Sequence, residues 1–199
     1  HVLADTLPTP KLISLDDTRQ ETVTRLKLDA STRPILALCP GAQFGPAKQW
    51  PAKHFAQLAN HFLTQGYQCW LFGSKADEEI CQAIQQQTQS RCINLSGHTA
   101  LSEAIDLLSL CQVVVSNDSG LMHIAAALNK PLVALYGSSS PGFTPPLNQQ
   151  ATTLSLRLDC SPCFKRTCPL GHTKCLVDLE PKRVIDAINA MNLSAPTHD

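Results

Sequence analysis

Five short apolar runs lie between residues 35 and 136, each giving way to a loop punctuated by Gly, Pro or Ser, and the first four of these loops lead into a stretch of helical period. The runs are 35–39 (ILALC), 68–72 (QCWLF), 92–95 (CINL), 113–116 (VVVS) and 132–136 (LVALY). Strand-and-helix units in unbroken succession leave no hairpins, so the strands must pair in parallel through right-handed crossovers. The expected fold is therefore α/β, a Rossmann-like doubly wound parallel sheet whose strands are apolar throughout because helices cover both faces.

The helices carry their own signals. Pro51 stands where a first turn tolerates it, and Phe55, Leu58, Ala59, Phe62 and Leu63 then repeat at three- and four-residue spacing up to Gly66. Further helices are expected to about Gln89, over 101–110 and over 119–129. Beyond a Pro-rich loop come a further short run at 152–156 (TTLSL), a cysteine-rich segment, and a closing helix over 181–191 striped by Val184, Ile185 and Ile188. Residues 1–33 read as a polar lead-in with a helix-capable segment at 17–28, residues 34–191 as the domain, and 192–199 as a tail.

With 199 residues and 43% hydrophobic content the chain can bury a proper core. Its 16 basic and 16 acidic side chains cancel, which removes the broad positive field that nucleic acid or an anionic membrane face would need. No apolar run approaches the roughly 20 residues of a membrane span, and the first residues lack a signal-peptide pattern. A soluble, cytoplasmic protein is expected. Nine cysteines, an odd count, argue against a fully paired secreted framework, and Cys39, Cys69, Cys81, Cys92 and Cys111 sit in apolar or helical stretches as small core residues. The chain opens without a methionine and reads as a piece of something longer.

In an open parallel sheet ligands bind beyond the carboxyl ends of the strands. The fourth run leads there into Ser116-Asn117-Asp118-Ser119-Gly120 and a helix carrying His123. Asp118 or Ser119 is placed to cap that helix, Gly120 allows close approach, and the helix N-terminus is a ready phosphate site. His123, four residues after Ser119, shares its helix face. The first loop delivers Lys48 to this edge and the second delivers Asp77, Glu78 and Glu79. A lysine ammonium suits a diphosphate and carboxylates suit ribose hydroxyls, so the set describes a nucleotide with a further sugar attached. The plainer reading makes Asp118 a cap and His123 a semi-buried structural histidine. "GAQFGPAK" is not a Walker loop, and no G-x-G-x-x-G follows the first strand.

The segment "CSPCFKRTCPLGHTKC" puts Cys160, Cys163, Cys168 and Cys175 with His172 inside sixteen residues. Zinc is one reading, although six residues separate the last two cysteines, wider than a usual knuckle. The other is a tight thiol-rich loop with at most one disulfide. Phe164, Lys165, Arg166 and Lys174 make the loop basic, which suits either an anionic acceptor nearby or simple solvation.

Three motifs, "PGAQFGPAKQWP" (40–51), "SNDSGLMHIAAALNKPLVALYG" (116–137) and the cysteine segment, together resemble the ADP-heptose:lipopolysaccharide heptosyltransferases of glycosyltransferase family 9, most closely their type II members. The resemblance covers nearly the whole chain. It implies the GT-B architecture, two Rossmann-like domains facing across a cleft, with this chain as the C-terminal, donor-binding half. By that resemblance Lys48 contacts the donor's phosphate and heptose, and Gln43 and Phe44 lie along the pyrophosphate. Type I members carry hydroxyl residues at those two places. Asp77 or Glu78 takes the ribose, Asp118 the heptose hydroxyls, Ser119 and Gly120 the phosphates, and His123 is the motif histidine.

The catalytic residues it implies here are Lys48 and Asp118. The general base, an aspartate, comes from an N-terminal domain outside this chain, so the piece alone binds donor and turns nothing over. The reaction is an inverting transfer in which a hydroxyl of the lipopolysaccharide inner-core acceptor attacks the anomeric carbon and ADP departs. ADP-heptose is substrate, no cofactor or metal is called for, and membrane contact is peripheral, at the inner face of the inner membrane. The alternatives are a non-catalytic nucleotide-sugar or zinc-binding module and a sugar-nucleotide epimerase of GT-B architecture.

Overall fold

The apolar runs pair into one parallel sheet of six strands, β1 (Ile35–Cys39), β2 (Gln68–Leu71), β3 (Ile93–Asn94), β4 (Val113–Asn117), β5 (Leu132–Leu135) and β6 (Ala151–Leu154), in the order β3-β2-β1-β4-β5-β6. This computed structural model describes residues 9–30, 32–191 and 193; the expectations for residues 1–8 and for a tail at 192 and 194–199 lie outside them. The chain winds outward from β1 to β3, returns past β1 to β4, and continues to β6. The sheet thus changes direction between β1 and β4, which pair from Leu36↔Val113 to Cys39↔Ser116.

Alternate residues of each strand feed two separate cores, as a period of two requires. On one face Leu36, Leu38, Val113, Val115, Val133 and Leu135 meet α2 (Ala52–Thr64), α3 (Glu78–Gln87) and α7 (Pro181–Asn189). On the other Ile35, Ala37, Val114, Leu132 and Ala134 meet α1 (Asp16–Arg25), α4 (Leu101–Leu110) and α5 (Gly120–Ala127). Burial on both sides explains why these strands are apolar without alternation. Cys39, Cys69, Cys81, Cys92 and Cys111 are all buried and free, filling small gaps in both layers.

Differences from the sequence reading lie at the ends of elements and in the segments that flank the five-unit core. The run at 152–156 is a true sixth strand, one residue earlier than expected, while β3 at the opposite edge keeps only two paired residues. The helix expected to reach residue 129 stops at Ala127, because Asn129 takes a left-handed φ of 54° and Pro131 follows. The segment read as a lead-in is, where described, folded onto the domain. Its helix α1 lies against α4, Leu12 N–H donates to Ala127 C=O at 2.9 Å, and Val23, Leu26 and Leu28 pack on the second core. A short four-residue helix, α6 (Lys174–Val177), closes the cysteine segment. Among the described residues no helix is long and apolar enough to cross a membrane.

Candidate functional site

Loops leaving the carboxyl ends of β1 and β4 must meet, because these strands are neighbours at the point where the sheet reverses. The β1 loop descends through a single 3-10 turn at Pro46–Lys48 and enters α2 at Pro51. Asn117, the fully buried last residue of β4, joins the two loops. Its Oδ1 accepts the Trp50 N–H at 3.1 Å and its Nδ2 donates to the Pro40 C=O at 2.8 Å, one bond at each end of the β1 loop. Trp50, itself buried, donates Nε1–H to Leu179 C=O at 2.8 Å.

These anchors aim Lys48 at Asp118. Lys48 Nζ lies 2.6 Å from Asp118 Oδ2, with side chains 13% and 4% exposed. Thr144 Oγ1 donates to the same carboxylate oxygen at 3.1 Å, and Tyr136 O–H donates to Thr144 C=O at 2.6 Å, fixing the loop after β5 against the site. Burial, with the nearby Asp118 charge adding to it, pushes the Tyr136 hydroxyl well above its usual value, so it remains a proton donor. Asp118 therefore does not cap α5. Nor does Ser119, which holds the N-cap position without a side-chain cap bond while its hydroxyl lies 3.3 Å from Ser116 Oγ. The expected cap is absent because lysine, a stronger partner than a backbone amide, takes the aspartate.

Beside this pair opens a cleft of about 380 Å³, bordered by Gly41 and Gln43 from the β1 loop, Asp77 from the β2 loop, and Ser119 and Gly120 at the start of α5. Asp77 Oδ2 accepts both N–H and Oγ–H of Ser74 at 2.8 Å. Gly41 lets the carboxylate sit there, since a Cβ at that position would lie 2.7 Å from Asp77 Cγ. Glu78 lies instead against Gly97. His123 is exposed on α5, whereas Leu121 and Ile124 face the cleft. A comparable cleft between α1 and α4, about 440 Å³, contains none of the expected site residues.

The cysteine-rich loop braces the same region. Phe164 N–H donates to Ser138 C=O at 2.7 Å, Ser161 Oγ–H donates to Gly137 C=O, and Ala47 N–H donates to Arg166 C=O at 3.1 Å. Phe44, 40% exposed, has the Lys48 ammonium 4.8 Å from its ring centroid and the Arg166 guanidinium 5.6 Å from it. The four cysteines are free, so the disulfide reading of this loop does not hold. They border a cavity of about 20 Å³, room for a single water. Backbone N–H groups, Thr173 foremost, hold the Cys168 thiol below its usual value, while burial and then the neighbouring thiols raise Cys175. Among the described residues no group of three His, Cys, Asp or Glu side chains is arranged to hold a metal ion, so the zinc reading gains no geometric support.

Sequence reasoning missed Asn117, Thr144 and Tyr136, and noted Arg166 only as one of several basic residues in the cysteine segment. Asn117 lay within the noted polar segment, and a buried amide at a strand end is a usable signal; Thr144 lies in a Pro-rich loop that offers none.

The chain matches the family described as glycosyltransferase family 9 (heptosyltransferase) over residues 5–174. It is 47% identical over 168 residues to lipopolysaccharide heptosyltransferase 2 of Escherichia coli (strain K12), an alignment covering 82% of this chain and 48% of that protein. With lipooligosaccharide heptosyltransferase 2 of Haemophilus influenzae it shares 43% over 198 residues, covering 94% and 57%. The solved structure of E. coli ADP-heptose lps heptosyltransferase II superposes with a TM-score of 0.82 at 42% identity, covering 94% of this chain and 55% of that one. The chain spans about half the length of the curated relatives it matches.

Proposed function

The chain belongs to glycosyltransferase family 9, the heptosyltransferases, and from that membership we propose that it is the donor-binding half of a GT-B enzyme transferring heptose from ADP-heptose to the lipopolysaccharide inner core. The observation that carries this reading is the 2.6 Å pairing of Lys48 with Asp118 at the reversal point of the sheet, beside a cleft that ends at the N-terminus of α5. Adenosine lies along the cleft with its ribose hydroxyls on Asp77, which faces the space, rather than on Glu78, which is turned to Gly97. Because no side chain caps α5, the first amides of the helix are free to meet the diphosphate. Gln43 and Phe44 flank it.

Chemistry begins when an acceptor hydroxyl attacks the anomeric carbon from the face opposite the diphosphate. A new C–O bond forms, the bond to the β-phosphate oxygen breaks, and that electron pair leaves with ADP. A general base, an aspartate in the other half by family resemblance, removes the acceptor's proton. Lys48 and the α5 dipole neutralise charge gathering on the leaving diphosphate, and preorganised partners of that kind contribute most when water is excluded. Asp118 positions heptose hydroxyls. ADP-heptose is substrate, no cofactor enters, and the enzyme works at the cytoplasmic face of the membrane where the acceptor is built. The zinc-module and epimerase alternatives have no observation in their favour.

Calorimetric titration of the chain with ADP and with ADP-heptose tests the proposal. Saturable binding of both, tighter for the sugar nucleotide, is expected. A flat isotherm for both would remove the reading.

A further inference from the structure

A sugar ester of a nucleoside diphosphate carries about two negative charges, and its departing diphosphate gains about one more. The residues so far assigned to it do not balance that charge. Lys48 is cationic, but it sits 2.6 Å from Asp118, whose negative charge offsets part of what the ammonium offers a ligand. The α5 N-terminus adds only about half an elementary charge.

A second cation is held over the same loop. Arg166 lies 5.6 Å from the centroid of Phe44, the ring that Lys48 approaches at 4.8 Å, so two cations share one aromatic neighbour at the mouth of the site. Among the described residues no carboxylate pairs with Arg166, in contrast to Lys48. Its position is fixed through the backbone. The Arg166 C=O accepts the Ala47 N–H at 3.1 Å, one residue before Lys48, and two residues earlier Phe164 N–H donates to Ser138 C=O at 2.7 Å. Gly45 is required for that approach: with φ of 155°, it has no Cβ, and one built there would strike the Arg166 carbonyl. The cysteine-rich loop is thus tied to both the β1 and β5 loops at the residue whose side chain is an unpaired guanidinium. A guanidinium presents a planar fork that matches phosphate oxygens, is always protonated, and is weakly hydrated.

We propose that Arg166 is a second cationic ligand of the donor's diphosphate, delivered to the β1 loop by the cysteine-rich loop so that Lys48 and Arg166, both beside Phe44, grip the leaving group together. The proposal rests on the donor-site reading above and adds to it a residue from a different part of the chain. It also gives the loop a task that requires neither metal nor disulfide.

The test is ADP titration of the chain with Arg166→Gln, Arg166→Lys and, as a control for general positive field, Lys165→Gln, with thermal melting of each variant. Arg166→Gln keeps the backbone bond to Ala47 and is expected to weaken ADP binding about tenfold at unchanged Tm. Arg166→Lys retains the charge and is expected to fall between wild type and Arg166→Gln, and Lys165→Gln to stay within about twofold of wild type. Wild-type affinity in Arg166→Gln, equal losses in Arg166→Gln and Lys165→Gln, or Arg166→Lys as weak as Arg166→Gln would each overturn the proposal while leaving ADP binding by the wild-type chain in place. A wild-type chain that binds no ADP overturns the donor-site reading itself, and this inference falls with it.

Discussion

Lys48 and Asp118 face each other across the junction of two loops, each largely withdrawn from water. Removing one member of such a pair leaves the other charge buried without its partner, which costs more than the pair contributes. Asp118 keeps Thr144 as a hydrogen-bond donor and so is not stranded. Lys48→Ala is expected to lower heptose transfer at least tenfold, about 1.4 kcal/mol of transition-state stabilisation, in any protein joining this half to an acceptor-binding half. Normal turnover in that variant would take Lys48 out of the mechanism. Asp118 should behave differently. Its negative charge opposes a diphosphate but its oxygens suit sugar hydroxyls, so Asp118→Ala is expected to weaken ADP-heptose binding several-fold while leaving ADP as tight or tighter. Equal losses for both ligands would show that the carboxylate serves the loop and not the sugar.

At the scale of elements, the helices behave as their sequences lead one to expect, and the loops carry the surprises. The apolar spacing of α2 places Phe55, Leu58 and Phe62 in the first core. α4 is fastened at its start by Glu103, which accepts the Ala100 N–H at 2.7 Å and an Arg25 N–H from α1 at 2.5 Å. The Ala100 amide, ahead of Arg25, holds the Glu103 carboxyl below the usual carboxylate range. The unfolded chain therefore binds this proton more readily than the folded one, so the contribution exists above the ordinary value of about 4.3 and is lost as pH falls through the lower, folded value. Glu103→Gln is expected to melt below wild type at pH 7, with the gap narrowing as pH falls below the ordinary carboxylate value. A gap constant with pH would assign the effect to packing and not to charge.

For the molecule as a whole, function follows from strand order. Reversal between β1 and β4 brings together residues seventy positions apart, Lys48 and Asp118, and leaves a cleft between the loops of β1, β2 and β4. A ligand that touches several of those loops stabilises the entire fold by mass action. ADP at about one hundred times its dissociation constant is expected to add about 2.7 kcal/mol, a rise in Tm on the order of 5–10 °C for a domain of this size. No rise under those conditions would mean that the cleft does not bind the nucleotide.

Periodicity alone determined that this chain forms an α/β layer structure with parallel strands, because a run that is apolar at every position can only be buried from both sides, and because strand–helix alternation forbids hairpins. It also marked Lys48, Asp77, Glu78, Asp118 and Ser119 as edge residues, since each follows a strand. What only the tertiary structure decided is who meets whom. Asp118 binds lysine instead of capping its helix, Asp77 faces the cleft while Glu78 turns away, Thr144 reaches the site from a segment whose local sequence gives no hint of it, and Arg166 comes to Phe44 from a loop that the sequence marked only as basic. Local sequence sets a residue's conformation and its side of a strand or helix. Partners across the sheet depend on strand order and on backbone contacts between distant loops, which no local pattern encodes.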